Sequence, residues 1–288
     1  MPKDRSSFET DFFVESGERD PVKAARDPAR PLPKRFYKEA TVGEADGGFS
    51  ILLDGRPVNT PARRRVVVPW RPLAEALAGE WAGQGETIDP STMPLTKLVN
   101  SALDGVAHQM PAVEAELVKY GGSDMLCYRA AEPESLVAAQ RAAWDPLLAF
   151  ARDKLGARLG LAEGVMFAAQ PEESLAALAA AVRAYVGEGP GAPLRLAALH
   201  VMTTLTGSLI LALAKSLKAI DLAEAWAAAH IDEDFQMRTW GEDAEALERR
   251  AARFKEMAAA AFVSDCAKSG EAPGDGGLGA ASSVAPKM

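Results

Sequence analysis

Glu116-Leu117-Val118-Lys119-Tyr120-Gly121-Gly122-Ser123-Asp124 is the stretch on which the reading of the fold turns. Upstream of the paired glycines the chain mixes short β-prone runs and turns with helical stretches. Downstream it is almost continuously helix-forming. Val113, Leu117 and Tyr120 end one amphipathic helix, and Gly121-Gly122 breaks the pattern. The expectation is an α+β protein with a small antiparallel sheet in an N-terminal domain over residues 35–120. An all-α C-terminal helical domain follows over residues 121–265. Residues 1–34, with Pro21, Pro28, Pro31 and Pro33, read as a flexible leader, and residues 266–288, rich in Gly, Ala and Ser, as a disordered tail.

On the N-terminal side, Phe36–Thr41 and Phe49–Leu53 read as strands of a hairpin with a long turn over Gly43, Asp46, Gly47 and Gly48. Asp54-Gly55-Arg56-Pro57 is a second turn, and Val58–Thr60 and Val66–Val68 are short strands. Leu73, Leu77 and Trp81 fall on one face of a helix, so Trp81 is expected to anchor that helix, with Trp81→Ala costing about 3–5 kcal/mol. Leu95, Leu98, Val99, Ala102, Leu103 and Val106 mark the next helix.

On the other side, Leu136 to Leu155 suggests one long helix kinked at Pro146. Pro171–Val186 forms another. A buried helix is expected over residues 194–216. Leu196–Ala214 holds no Asp, Glu, Lys or Arg over 19 residues, long enough to approach a membrane span. The polar His200, Thr203, Thr204, Thr206 and Ser208 favour a helix inside a bundle, with no membrane insertion. Asp221-Leu222-Ala223-Glu224 is a capping box. The helix it opens should turn Trp226, Ala227, Ile231 and Phe235 inward. The last helix should bury Leu247, Ala251, Phe254, Ala258 and Phe262 and end near Val263.

The chain of 288 residues carries 32 basic and 40 acidic side chains, a net charge of −8. That balance gives no basic face for nucleic acid. Its hydrophobic share of 48% is enough for a sizeable core. Two cysteines, Cys127 and Cys266, suit a reducing compartment rather than a disulfide scaffold. His108, His200 and His230 stand in no metal-binding spacing, so no metal and no cofactor is expected. No phosphate-binding glycine loop is present. The first 35 residues mix seven acids with eight bases, unlike a signal peptide or a mitochondrial presequence, and a cytoplasmic protein is expected.

The strongest polar concentration is Asp232-Glu233-Asp234-Phe235-Gln236-Met237-Arg238-Thr239-Trp240-Gly241-Glu242-Asp243-Ala244-Glu245-Ala246. Acids at the start of a helix are favoured by its dipole, which is reason enough for Glu242, Asp243 and Glu245. Together with Phe235 and Trp240 they could also form an acidic and aromatic contact surface. An enzyme reading would use Cys127 as a nucleophile or Glu242 and Glu245 as a carboxylate pair, as in a hydrolase or thiol enzyme. A buried Cys127 acting as a small apolar side chain is the plainer alternative. A helical scaffold for some other partner is a third reading.

Several blocks in one order carry a resemblance. They are Arg35-Phe36-Tyr37-Lys38, Leu53 to Pro61, Glu80-Trp81, Met93-Pro94-Leu95-Thr96, Asp124 to Arg129, Gln140 with Trp144-Asp145-Pro146, and Phe235-Gln236 with Trp240 to Ala246. As an ordered set over about residues 35–262 they resemble the assembly chaperones of F-type ATP synthase, the branch specific for the alpha subunit of the F1 head. The resemblance implies a bacterial, non-enzymatic protein whose partner is the unassembled alpha subunit. It implies partner-binding roles for Trp240, Glu242, Asp243 and Glu245, with Asp232, Glu233 and Gln236 behind them. A buried position between the last two helices is the other reading of Trp240 and Gln236.

Overall fold

The computed structural model describes residues 32–164 and 168–269. Strands β1 (Ala40–Ala45) and β2 (Gly48–Leu53) form an antiparallel hairpin, and β3 (Arg56–Pro57) and β4 (Val67–Val68) both pair with β2. The hairpin closes at Asp46-Gly47, with Ala45 opposite Gly48. The turn is therefore shorter than expected, and Gly43 lies inside β1. A Cβ on Gly43 would come within 2.7 Å of Leu52 Cδ1, so this glycine marks a close approach rather than a turn.

Helices α1 (Arg71–Ala82), α2 (Pro94–Asp104) and α3 (Met110–Gly121) follow. Several of the blocks that carry the resemblance in the N-terminal half act as fasteners. Asp54 accepts hydrogen bonds from the Lys38 and Glu39 amides at 3.1 and 2.9 Å. Tyr37 donates its hydroxyl to the Trp81 carbonyl at 2.7 Å. Glu80 on α1 accepts from the Leu95 and Thr96 amides at 2.7 and 2.8 Å and from the Thr96 hydroxyl at 2.7 Å. It thereby satisfies amides that the first turn of α2 leaves open.

Trp81 meets Tyr37 edge to face at 5.8 Å and packs against the core, but it is only partly buried. The expected cost of Trp81→Ala falls accordingly to about 2–3 kcal/mol. Urea unfolding should show that loss. A fully stable variant that no longer binds a partner would instead make Trp81 a contact residue.

The helical part comprises α4 (Glu134–Lys154), α5 (Glu172–Val186), α6 (Ala192–Thr206), α7 (Leu209–Ser216), α8 (Leu222–Ala229), α9 (Ile231–Trp240) and α10 (Ala244–Ser269). A two-residue parallel pair, β5 (Tyr128–Arg129) with β6 (Ala162–Glu163), lies within it. Helix α4 runs on through Pro146. Gly121 ends α3 against α5, where a Cβ would stand 2.7 Å from Leu178 Cδ1.

The single helix expected over 194–216 is two. It breaks at Gly207, and Ser208 caps α7 by accepting from the Leu211 amide at 3.0 Å. The carboxylate of Asp124 accepts from the Ile210 amide at 3.1 Å. Helix α6 is buried on nearly all sides. Its one guanidinium, Arg195, is satisfied by the carbonyls of Val186 and Glu188. Among the described residues no helix is long and apolar enough to cross a membrane.

The main apolar cluster joins Ile51 and Val68 of the sheet to Leu73 and Leu77 of α1, Leu194 and Leu199 of α6, and Met257 and Ala260 of α10. A smaller cluster, centred on Trp144, holds α4, α7 and α8 together.

Both expected chain-end boundaries move. The Ile88 amide donates to the Pro33 carbonyl at 2.8 Å and Lys34 pairs with Thr87, so ordered packing starts before Arg35. Helix α10 passes Val263 and reaches Ser269, with Cys266 and Ala267 buried. The sequence offers no glycine or proline to stop it before Gly270. The remainder of the leader and tail lies outside the described residues.

Candidate functional site

Helices α8, α9 and the start of α10 gather the polar residues singled out in the sequence. The capping box forms as expected. Asp221 accepts from the Glu224 amide at 2.8 Å and Glu224 accepts from the Asp221 amide at 2.8 Å. The helix it opens stops at Ala229. His230 is buried, its Nδ1 2.7 Å from the Trp226 carbonyl, and burial holds its pKa below the usual value. The buried residues of α8 are Ala225 and Ala228, not Trp226 and Ala227. Helix α9 then buries none of its residues fully.

Few ties hold α9. Gln140 of α4, itself buried, donates to Asp232 at 2.7 Å and accepts from the Ala130 amide at 2.9 Å. Asp234 pairs with Arg250 of α10. Glu233 lies 3.8 Å from His230. Asp232 thus has a structural partner, while Glu233 and Gln236 face solvent.

The chain turns at Gly241, whose φ of 96° is left-handed space that suits glycine. Asp243 accepts from the Glu245 amide at 3.0 Å and so caps α10. Glu245 pairs with Arg249 at 2.6 Å. Trp240 is 84% exposed. Its buried alternative is therefore set aside, as is that of Gln236. Between Asp221 and Ala246 there are eight acids and one base, Arg238, a net −7 in a chain whose total is −8. Nearly the whole net charge sits on this arm.

The face of α10 expected to be buried stays partly open to solvent. Leu247, Phe254 and Phe262 are exposed, and Met257, Ala260, Ala261 and Val263 take the core instead. Phe254 still meets Trp226 edge to face at 5.2 Å. A groove of about 620 Å³ opens between α4, α8 and α9. Alanines of α4 and α8 line much of it, together with Pro146, Leu147, Phe150, Ile220 and Ile231. The recurrence of Ala139, Ala142, Ala143 and Pro146 on one face was the available signal.

Chemistry has little footing elsewhere. Cys127 is fully buried, and burial together with the nearby Asp124 pushes its thiol up to about 12. No thiolate forms there at neutral pH. Among the described residues no group of His, Cys, Asp and Glu could hold a metal ion.

The fold defines a protein of the chaperone class rather than an enzyme. A crystal structure of a candidate chaperone from Agrobacterium tumefaciens superposes with a TM-score of 0.78 at 48% identity, covering 88% of this chain and 93% of that one. Atp12 from Paracoccus denitrificans superposes at 0.74 with 41% identity, covering 81% of this chain and 98% of that one. The profile of the family described as ATP12 chaperone protein matches residues 34–152. The chain belongs to the ATP12 chaperone protein family. The mitochondrial protein atp12 of Schizosaccharomyces pombe is 28% identical over 171 residues, which span 56% of this chain and 57% of that relative.

Proposed function

We propose that this chain is an ATP-independent assembly chaperone that binds the unassembled alpha subunit of F-type ATP synthase in a bacterial cytoplasm. It shields the surface that later meets the beta subunit, and it is displaced on assembly. The observation that carries this reading, beside the family, is the concentration of negative charge around an exposed Trp240. A subunit awaiting its neighbour exposes apolar area that aggregates. A holder combines aromatic anchors with charges that steer encounter. Mass action suffices for release, because the tighter correct partner competes the holder away.

In this reading Trp240, Glu242, Asp243, Glu245, Glu233 and Gln236 contact the client, and Asp232 fixes the position of α9. The test is binding of isolated alpha subunit to wild type and to Glu242→Lys/Glu245→Lys. Asp243 is left in place because it caps α10. The exposed Glu245–Arg249 pair adds little to folding, so circular dichroism should be unchanged. Client affinity should fall at least about tenfold, and association should slow with salt. Unchanged affinity in a folded variant removes this turn from the interface. No binding of alpha subunit by wild type removes the client.

A further inference from the structure

We propose that the groove between α4, α8 and α9 receives an amphipathic helix of the client whose inserted face is apolar and whose flank is basic. This deepens the chaperone reading and rests on it. The floor includes Ala139, Ala142 and Ala143 of α4 and Ala227 of α8, with Phe150 and Ile231 as larger apolar groups. Alanines at i, i+3 and i+4 leave a shallow trough into which another helix can settle. From Ala139 to Phe150 the trough extends about 16 Å, roughly three turns of helix. That matches recognition through apolar side chains spaced i, i+3 or i+4, and i+7.

Charge decides what flanks those side chains. Glu224 and Asp234 stand on the rim, and the only base there is Arg238. Asp234 is paired with Arg250 and keeps 39% of its side chain exposed. The rim belongs to the arm that carries net −7. A basic flank gains from this field and an acidic flank is repelled. The groove is also continuous with the exposed acidic arm through α9, so a client held at Trp240 can reach it.

The probe is a labelled peptide of about 14 residues, leucine on one helical face and lysine on the other, with a leucine/glutamate peptide as its counterpart. Ala142→Trp and Ala227→Trp, made separately, fill the groove from positions that are exposed, so packing elsewhere is untouched. The leucine/lysine peptide should bind wild type and weaken at least about tenfold in either folded variant, a loss of about 1.4 kcal/mol. The leucine/glutamate peptide should not bind. Isolated alpha subunit should weaken in the same variants. Equal peptide binding by wild type and filled protein overturns the groove, as does no binding at all. Client binding unchanged by filling shows that the client does not use it. Peptide binding that depends on the groove, without any alpha-subunit binding, keeps the groove's chemistry and discards the client.

Discussion

Trp144→Ala should destabilise the protein by about 3–5 kcal/mol, the range for removing a buried large aromatic side chain. Trp144 is 1% exposed. It lies on α4 amid Leu126, Leu147, Ile210, Leu211 and Ala228, so its loss opens a cavity where α4, α7 and α8 meet. Its indole Nε1 donates to the Ala228 carbonyl at 2.8 Å, and the substitution leaves that buried acceptor without its donor. Arg129 stacks over the ring at 5.2 Å while donating to Asp145 at 2.8 Å. Trp144→Phe keeps most of the volume and should cost about 1–2 kcal/mol, chiefly the hydrogen bond. Urea unfolding measures both, with a lower midpoint and an unchanged slope. A loss below about 1 kcal/mol for the alanine variant would mean that this cluster does not hold α4 and α8 together. Client binding should weaken with it, because α8 and α9 carry the acidic arm.

Stability should also depend on pH through Asp124. Burial drives its carboxyl up from 3.8 to about 6, against hydrogen bonds from the amides of Ile210, Leu126 and Leu209 and the Ser208 hydroxyl that favour the charged form. A folded-state pKa above the unfolded one means that the folded protein holds the proton more tightly. The stabilisation is complete below about pH 3.8 and is lost as pH rises through about 6, a change of about 3 kcal/mol. Buried His230 acts in the opposite sense. Its depressed pKa withdraws stability as pH falls below its ordinary 6.5. Comparison with Asp124→Asn separates the two, since His230 is common to both proteins. Unfolding free energies measured from pH 4 to 7.5 should show wild type losing ground to the variant by that amount. A difference that stays constant with pH would show that Asp124 is ionised throughout.

Much of the fold is legible in the sequence because local chemistry dictates it. The Asp221/Glu224 capping box forms, and Pro94 and Pro111 sit in the first turns of their helices, where proline is preferred, but the change from strands to helices falls between Val68 and Arg71 rather than at Gly121-Gly122. The acidic arm could be read because its charges are contiguous in the chain. Gly43 misled because a glycine that admits a neighbouring Leu52 looks the same in sequence as one that makes a turn. The break at Gly207 was hidden inside an uncharged run whose apolarity suggested one helix. The groove escaped notice because it is a relation between three helices, and none of them carries it alone.

The sequence by itself determined the helical periodicity of α10, its acidic start and the presence of enough apolar residues for a buried face. It did not determine which face. Leu247, Phe254 and Phe262 make a stripe with large side chains, while Met257, Ala260, Ala261 and Val263 make another with mostly small ones. Tertiary structure chose the second. Helix α10 lies against α6, and small side chains let the two backbones approach closely and fill the interior without voids. Phenylalanines on that side would hold the helices apart and leave gaps, each a loss of packing energy. The larger stripe is thereby left partly open to solvent, with Phe254 against Trp226.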